Sequence, residues 1–288
     1  MKVTAVVFAV LLACFGSRSG SAPAEAADTA NPSSQRILFR GQVVYQANCA
    51  VCHGVRGDGY GPAASMFLIR PRDFTTGIFK FRSTPSDSLP TDDDLLRTVT
   101  RGLRWTGMIG RGDLARSDRA AVVQYLKKFS PRFAREQPQK SVTVAPAPPK
   151  TEEILAQGRR LYKEAGCDGC HGGKGRGDGP SSSGLKDGWG WPIWPSDLTW
   201  RPLKRGSDIK ETYLTLMTGL SGTPMPSYAG SLSDKEIWAL VYYLESLVPR
   251  DHRVDPNRVL GEEQQGWMAL RMGGMMGGRM GRGMGYRR

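Results

Sequence analysis

Two short stretches of this chain, Cys49-Ala50-Val51-Cys52-His53 and Cys167-Asp168-Gly169-Cys170-His171, repeat one pattern, C-x-x-C-H, once in each half. Cysteines at this spacing suit three chemistries: a zinc knuckle, a thioredoxin-like redox pair, or covalent attachment of c-type haem. A zinc site would draw both pairs into one four-ligand cluster, yet the pairs lie far apart and each carries its own histidine. A redox pair leaves the repeat unexplained. Haem attachment uses every fixed residue of the pattern. The two thiols add across the two vinyl groups, and the adjacent histidine falls under the iron as its proximal ligand. The prediction is two haem c groups, one held by Cys49, Cys52 and His53 and the other by Cys167, Cys170 and His171. Each half must then fold around a large planar cofactor.

The rest of the cysteine and histidine inventory agrees. Of five cysteines, four lie in the motifs and the fifth, Cys14, sits near the N-terminus, so no thiol remains for a structural disulfide. The third histidine, His252, reads as a solvated surface residue.

The similarity between the halves extends beyond the motifs, as in an internal duplication. Ile37 to Tyr45 and Ile154 to Tyr162 precede them, with apolar residues at helical spacing and a glycine one turn before a tyrosine (Gly41 and Tyr45, Gly158 and Tyr162). After the motifs, glycine-rich stretches ending in Pro62 and Pro180 fall in register. Pro71-Arg72-Asp73-Phe74-Thr75 then echoes Pro195-Ser196-Asp197-Leu198-Thr199. Gly102-Leu103 pairs with Gly219-Leu220, and closing helices are predicted over Asp118 to Phe129 and Ser233 to Leu247, each followed by a proline.

Around the repeat, Lys2 followed by the apolar run Val3 to Phe15 reads as an export signal. The run is too short for a bilayer span, which takes ~20 apolar residues. Leu11-Leu12-Ala13-Cys14 resembles a lipobox, which would lipidate Cys14. Cleavage after Ala24 or Ala26 is the alternative. The expected organisation is a leader and tether over 1–34, a first domain over 35–137 and a Pro-rich, unpaired linker over 138–150. A second domain over 151–250 and a disordered Gly/Met/Arg tail over 251–288 complete it.

On these residues the chain resembles di-haem cytochromes c built from two tandem class I cytochrome c domains, over about residues 35–250. The resemblance implies an all-α fold, each domain wrapped around one covalently attached haem. It implies a crossing of first and last helices at Gly41 with Tyr125 and at Gly158 with Tyr243. It also gives Pro62 and Pro180 the role of presenting a carbonyl to the proximal imidazole. The family places a distal methionine in a loop before the last helix, often as Gly-Thr-x-Met-Pro. Gly222-Thr223-Pro224-Met225-Pro226 matches, whereas Trp105-Thr106-Gly107-Met108-Ile109 matches more loosely, with no proline after the methionine. Met108 and Met225 follow their histidines at nearly equal distances, so the expected iron ligands are His53 with Met108 and His171 with Met225. Met217 and Met66 read as core packing.

His/Met ligation raises a haem potential relative to bis-histidine and leaves no iron position for substrate. The reading is an exported, periplasmic electron carrier with no catalytic residues, working between a respiratory or dehydrogenase donor and a terminal acceptor. The formal charge of +13 suggests redox partners with acidic docking faces. Export argues against nucleic acid as the partner of the Arg-Gly tail, and membrane contact requires a lipidated Cys14. Two alternatives stand: a di-haem peroxidase-like enzyme with an open haem site, and a fixed haem subunit of a membrane-associated oxidoreductase complex. Tryptophans 189, 191, 194 and 200 crowd one loop and are expected to shield the second haem from water.

Overall fold

The computed structural model describes residues 31–253, so Cys14, the leader and the tail past Arg253 lie outside the described residues. All regular structure among the described residues is helical. The first half contains α1 (Pro32–Asn48), α2 (Ala50–His53), α3 (Asp92–Arg101), α4 (Arg116–Lys127) and a short α5 (Arg132–Arg135). The second half repeats the plan with α6 (Glu152–Glu164), α7 (Cys167–His171), α8 (Ile209–Thr218) and α9 (Asp234–Ser246). The fold is all-α, with two cytochrome c-like halves in tandem. None of these helices is long and apolar enough to cross a membrane.

Local sequence sets the helix starts. At α3 the Thr91 hydroxyl accepts from the Asp94 N–H at 3.1 Å while the Asp94 carboxylate accepts from the Thr91 N–H at 3.1 Å. This reciprocal cap satisfies donors that a helix start leaves unpaired, and Asp92 and Asp93 add charge that complements the helix dipole. Ser233 and Glu236 build the same device at α9. Thr151 and Asp208 cap α6 and α8.

The repeat's glycine–tyrosine pairs mark the helix crossings. A side chain at Gly41 would strike the Ala121 carbonyl and lie 2.8 Å from Tyr125 Cβ. One at Gly158 would strike the Ala239 carbonyl and lie 2.8 Å from Tyr243 Cβ. The glycines thus let α1 touch the backbone of α4, and α6 that of α9. Tyr45 and Tyr162 then turn inward, fully buried, and donate to the carbonyls of Gly54 (2.7 Å) and Gly172 (2.8 Å) just past the motifs. Val44, Val122 and Val123 fill the first core; Tyr162, Ile237, Trp238 and Leu240 fill the second. Each large apolar side chain so buried contributes roughly 1.5–3 kcal/mol.

The linker differs from its sequence expectation. It is not unpaired. Val142 N–H donates to Ser83 O at 2.8 Å, and Ser141 and Ser83 hydroxyls lie 2.8 Å apart. Trp238 Nε1 donates to Ala145 O at 3.0 Å and the Tyr242 hydroxyl to Pro148 O at 2.7 Å. A proline-rich segment has few N–H groups to offer, but its carbonyls still accept, and α9 carries the donors.

The halves also bond directly. The fully buried Arg82 donates to Phe79 O (3.0 Å) and Pro85 O (3.0 Å) in its own half and to Thr218 O (2.7 Å) in the other. Arg205 donates back to Arg82 O at 2.8 Å and pairs with Glu211, which also pairs with Arg97. The tryptophan loop belongs largely to this junction, which corrects the shielding expectation. The Arg72 guanidinium lies 4.1 Å over Trp189 and that of Arg70 4.5 Å over Trp191. Trp200 stacks on His252 at 3.9 Å and meets Trp105 edge-on at 6.2 Å. Each such stacked or cation–π contact is worth about 0.5–1.5 kcal/mol. His252 is therefore packed, its Nδ1 3.3 Å from Thr199 O, rather than solvated.

Candidate haem-binding site

The motif helices α2 and α7 are held by identical turns. His53 O accepts from Gly59 N–H (2.9 Å) and His171 O from Gly177 N–H (2.8 Å). Cys52 O and Cys170 O accept from Gly61 and Gly179, both at 3.1 Å. The chain thus folds back along the motif helix, which leaves Pro62 and Pro180 exposed on its outer side.

That path corrects the role expected of the two prolines. The carbonyls that meet the proximal imidazoles belong to Arg72, 3.0 Å from His53 Nδ1, and to Ser196, 2.9 Å from His171 Nδ1. A carbonyl only accepts, so Nδ1 carries the proton and Nε2 keeps its lone pair for a metal. Arg72 and Ser196 follow Pro71 and Pro195 in the second repeated segment, so a signal was present in the sequence and pointed to a different proline. Burial lowers the pKa of both imidazoles, favouring the neutral, ligating form. Phe74 stacks on His53 at 4.5 Å and fixes that ring further.

On the second half, a cavity of about 360 Å³ brings Cys167, Cys170, His171 and Met225 together. Its lining is mostly apolar, with Leu185, Ile193, Leu216 and Leu240 among the walls, and its size is that of a cofactor site. Of the four loop tryptophans only Trp194 lines it. Lys80 from the first half, Lys204 and Arg205 also line it, the last paired with Glu211. Burial, with Arg72 and Lys204 nearby, pushes the Lys80 amine down to about 7. Such a cavity fits haem: two thiols, an imidazole and a thioether in one mostly apolar lining, with the Lys80 and Lys204 amines there to meet the carboxylates of the porphyrin. The thiols are free of disulfides, and burial raises the Cys49 pKa to about 11 and also raises that of Cys167.

The two methionine loops share their hydrogen bonds. Thr106 Oγ1 donates to Leu103 O (2.7 Å) and accepts from Met108 N–H (3.1 Å), while Leu103 N–H donates to Met108 O (2.9 Å). In the second half Thr223 Oγ1 donates to Leu220 O (2.7 Å) and accepts from Met225 N–H (3.2 Å), and Leu220 N–H donates to Met225 O (3.1 Å). The looser sequence match around Met108 is therefore no looser in backbone. Met217 packs against the second core as expected, whereas Met66 is 68 % exposed and is not a core residue.

Sequence reasoning missed one further pair. Three residues past each methionine, Arg111 N–H donates to Val99 O (2.8 Å) and Tyr228 N–H to Leu216 O (2.9 Å). From that shared position Tyr228 reaches the Cys167 sulfur at 3.9 Å, and Arg111 exerts its charge on Cys49. Only the backbone register reveals the equivalence, because the two side chains share no chemistry.

A motif helix, a carbonyl-held imidazole and a threonine-tied methionine loop, each present twice, define the architecture of a c-type cytochrome. The cytochrome c family profile matches residues 39–130 and 155–248, well over half of the chain, and the chain belongs to that family. It is similar to a chain of the Kuenenia stuttgartiensis reducing HAO-like protein complex, at 45 % identity and a TM-score of 0.72. That match covers 73 % of this chain and 96 % of that one. A curated "Cytochrome c-553-like" protein of Synechocystis sp. is 64 % identical over 25 residues, which are 8 % of this chain and 24 % of that protein. The match therefore spans about a quarter of that relative's length.

Proposed function

We propose that this cytochrome c carries two covalently attached haem c groups, ligated by His53 with Met108 and by His171 with Met225, and passes single electrons between protein partners outside the cytoplasm. The observation that carries this reading is the convergence of Cys167, Cys170, His171 and Met225 on one apolar cavity, with the same backbone frame in the first half. Bound haem supplies an iron that gains or loses one electron. The chain's own part is to hold the imidazole tautomer, keep water from the iron and limit rearrangement between charge states. With a methionine on the sixth position no place remains for substrate, which favours a carrier over a peroxidase-like enzyme. The leader-like run Val3 to Phe15 supports a location outside the cytoplasm, with a lipid anchor if Cys14 is modified.

A second reading, a haem subunit docked within a larger oxidoreductase, has its own support. The similar Kuenenia chain is described as part of a complex. Among the described residues, the exposed large apolar side chains fall almost entirely on the first half, including Val51, Val55 and Ile109 beside its motif and methionine loop. Such a rim suits a redox protein seated against the first haem.

The deciding experiment is optical. The oxidised holoprotein should show the weak near-red band of sulfur-to-iron ligation, reduced by about half in Met108→Ala or Met225→Ala and abolished in the double variant. Intact mass should exceed that of the mature chain by two haems. High-spin iron in the resting wild type would overturn the carrier reading in favour of an open site.

A further inference from the structure

One residue in the Met108 loop holds a backbone conformation that its side chain disfavours. Trp105 lies at φ +59°, in the left-handed region, where a bulky residue is an outlier. The aligned position of the other loop, three residues before Met225, is Gly222 at φ +76°, where the conformation carries no steric penalty. The loops share the two threonine bonds and the backbone bond that closes each on its methionine, both hold a left-handed residue at this position, and only the second has a residue that adopts it freely.

Contacts from the opposite half hold Trp105 in place. Its indole Nε1 donates to Pro202 O at 2.6 Å and its ring meets Trp200 edge-on. The neighbouring Arg104 N–H donates to Lys204 O at 3.3 Å. Pro202 and Lys204 lie on the segment just past Ser196, whose carbonyl holds His171.

We propose that Trp105 is a positioning residue through which the second half of the molecule sets the methionine ligation of the first haem. The second half grips the indole, the grip keeps residue 105 left-handed, and that conformation closes the Thr106–Met108 turn that aims the sulfur. The Met225 loop, with glycine, needs no such grip. The inference rests on the reading that Met108 ligates the first haem.

The test uses the holoprotein in a Met225→His background, which removes the sulfur–iron band of the second haem and occupies its sixth position with histidine. Imidazole then competes with Met108 alone, and its apparent dissociation constant reports how firmly that loop is set. Trp105→Ala deletes the indole but keeps the steric penalty. Imidazole binding should tighten on the order of tenfold, as expected from releasing a left-handed residue, and the near-red band should fall with it. Trp105→Gly deletes the same ring while permitting the conformation, and should keep the band and the weak imidazole binding. Equal imidazole binding in Trp105→Ala and its parent would overturn the inference, as would Trp105→Gly behaving like Trp105→Ala. Loss of the band in Met225→His alone would instead remove the ligand assignment of Met108.

Discussion

The two halves agree around the motif imidazole and diverge in the methionine loop. Around the imidazole, the tyrosine bonded past the motif, the returning glycine turn and the carbonyl on Nδ1 are repeated to within about 0.1 Å in their hydrogen bonds. In and just past the methionine loop, Trp105 stands where the second half has Gly222, Ile109 where it has Pro226, and the cation Arg111 where it has the phenol Tyr228. Attachment and imidazole orientation tolerate one geometry, so duplication preserves it. The two methionine loops are built by different means. Both are touched from across the junction, at Ser221 by Asp87 and at Trp105 by Pro202, but only the second also has proline and glycine within the loop. The outer faces differ too: α9 lies under the linker, whereas the first half keeps its apolar rim exposed.

The largest expected effect tests whether the halves are separable. Arg82→Met keeps the buried stem but strips three carbonyls, one of them Thr218 O in the other half, of their donor. Unsatisfied buried acceptors cost about 1–3 kcal/mol each, so urea unfolding of the holoprotein should show a loss of about 3–5 kcal/mol. Both halves should lose it together, followed through the near-red bands of Met108→Ala and Met225→Ala backgrounds. A loss confined to the first half would make them independent domains.

A smaller effect tests their likeness. Gly41→Ala and Gly158→Ala each drive a methyl into a backbone carbonyl that cannot rotate away. Overpacking of about 1–3 kcal/mol exceeds the roughly 1 kcal/mol that alanine gains in helix propensity. Denaturation midpoints should fall, and by similar amounts for the two variants. A neutral result at either position would show that its crossing is looser than its partner's.

These residues also show what the sequence could and could not convey. The haem motifs were legible because their signature is a local spacing, and the crossing glycines and both methionine loops because the family resemblance implies them. The carbonyls of Arg72 and Ser196 were marked only indirectly, by the repeated Pro71 and Pro195 before them, since every residue carries a carbonyl and only the path of the chain brings one under the imidazole. Pro62 and Pro180 drew that role because a proline is visible in a sequence and a carbonyl is not. The tryptophan loop was read as haem cover for a similar reason. Aromatic residues announce burial, but their partners here, Arg70, Arg72 and Trp105, lie in the other half and no periodicity connects them. The linker's bonds were hidden because its donors sit on α9.

The smallest effect separates the two ways of securing a methionine. Thr106→Val and Thr223→Val keep the side-chain shape and each remove two hydrogen bonds from a methionine loop. Each should lower stability by about 1 kcal/mol, from two part-buried bonds at about 0.5 kcal/mol apiece, the low end of their usual net worth. The consequence for ligation should differ. Pro224 and Pro226 restrict the second loop without the threonine, because a fixed φ leaves fewer conformations to escape into. The first loop has no proline and is held from the other half at Arg104 and Trp105. Imidazole competition at each haem should therefore show Thr106→Val loosening Met108 more than Thr223→Val loosens Met225. Equal loosening would mean that the threonine, common to both loops, sets the sulfur, and that the distal divergence between the halves serves the junction rather than the ligand.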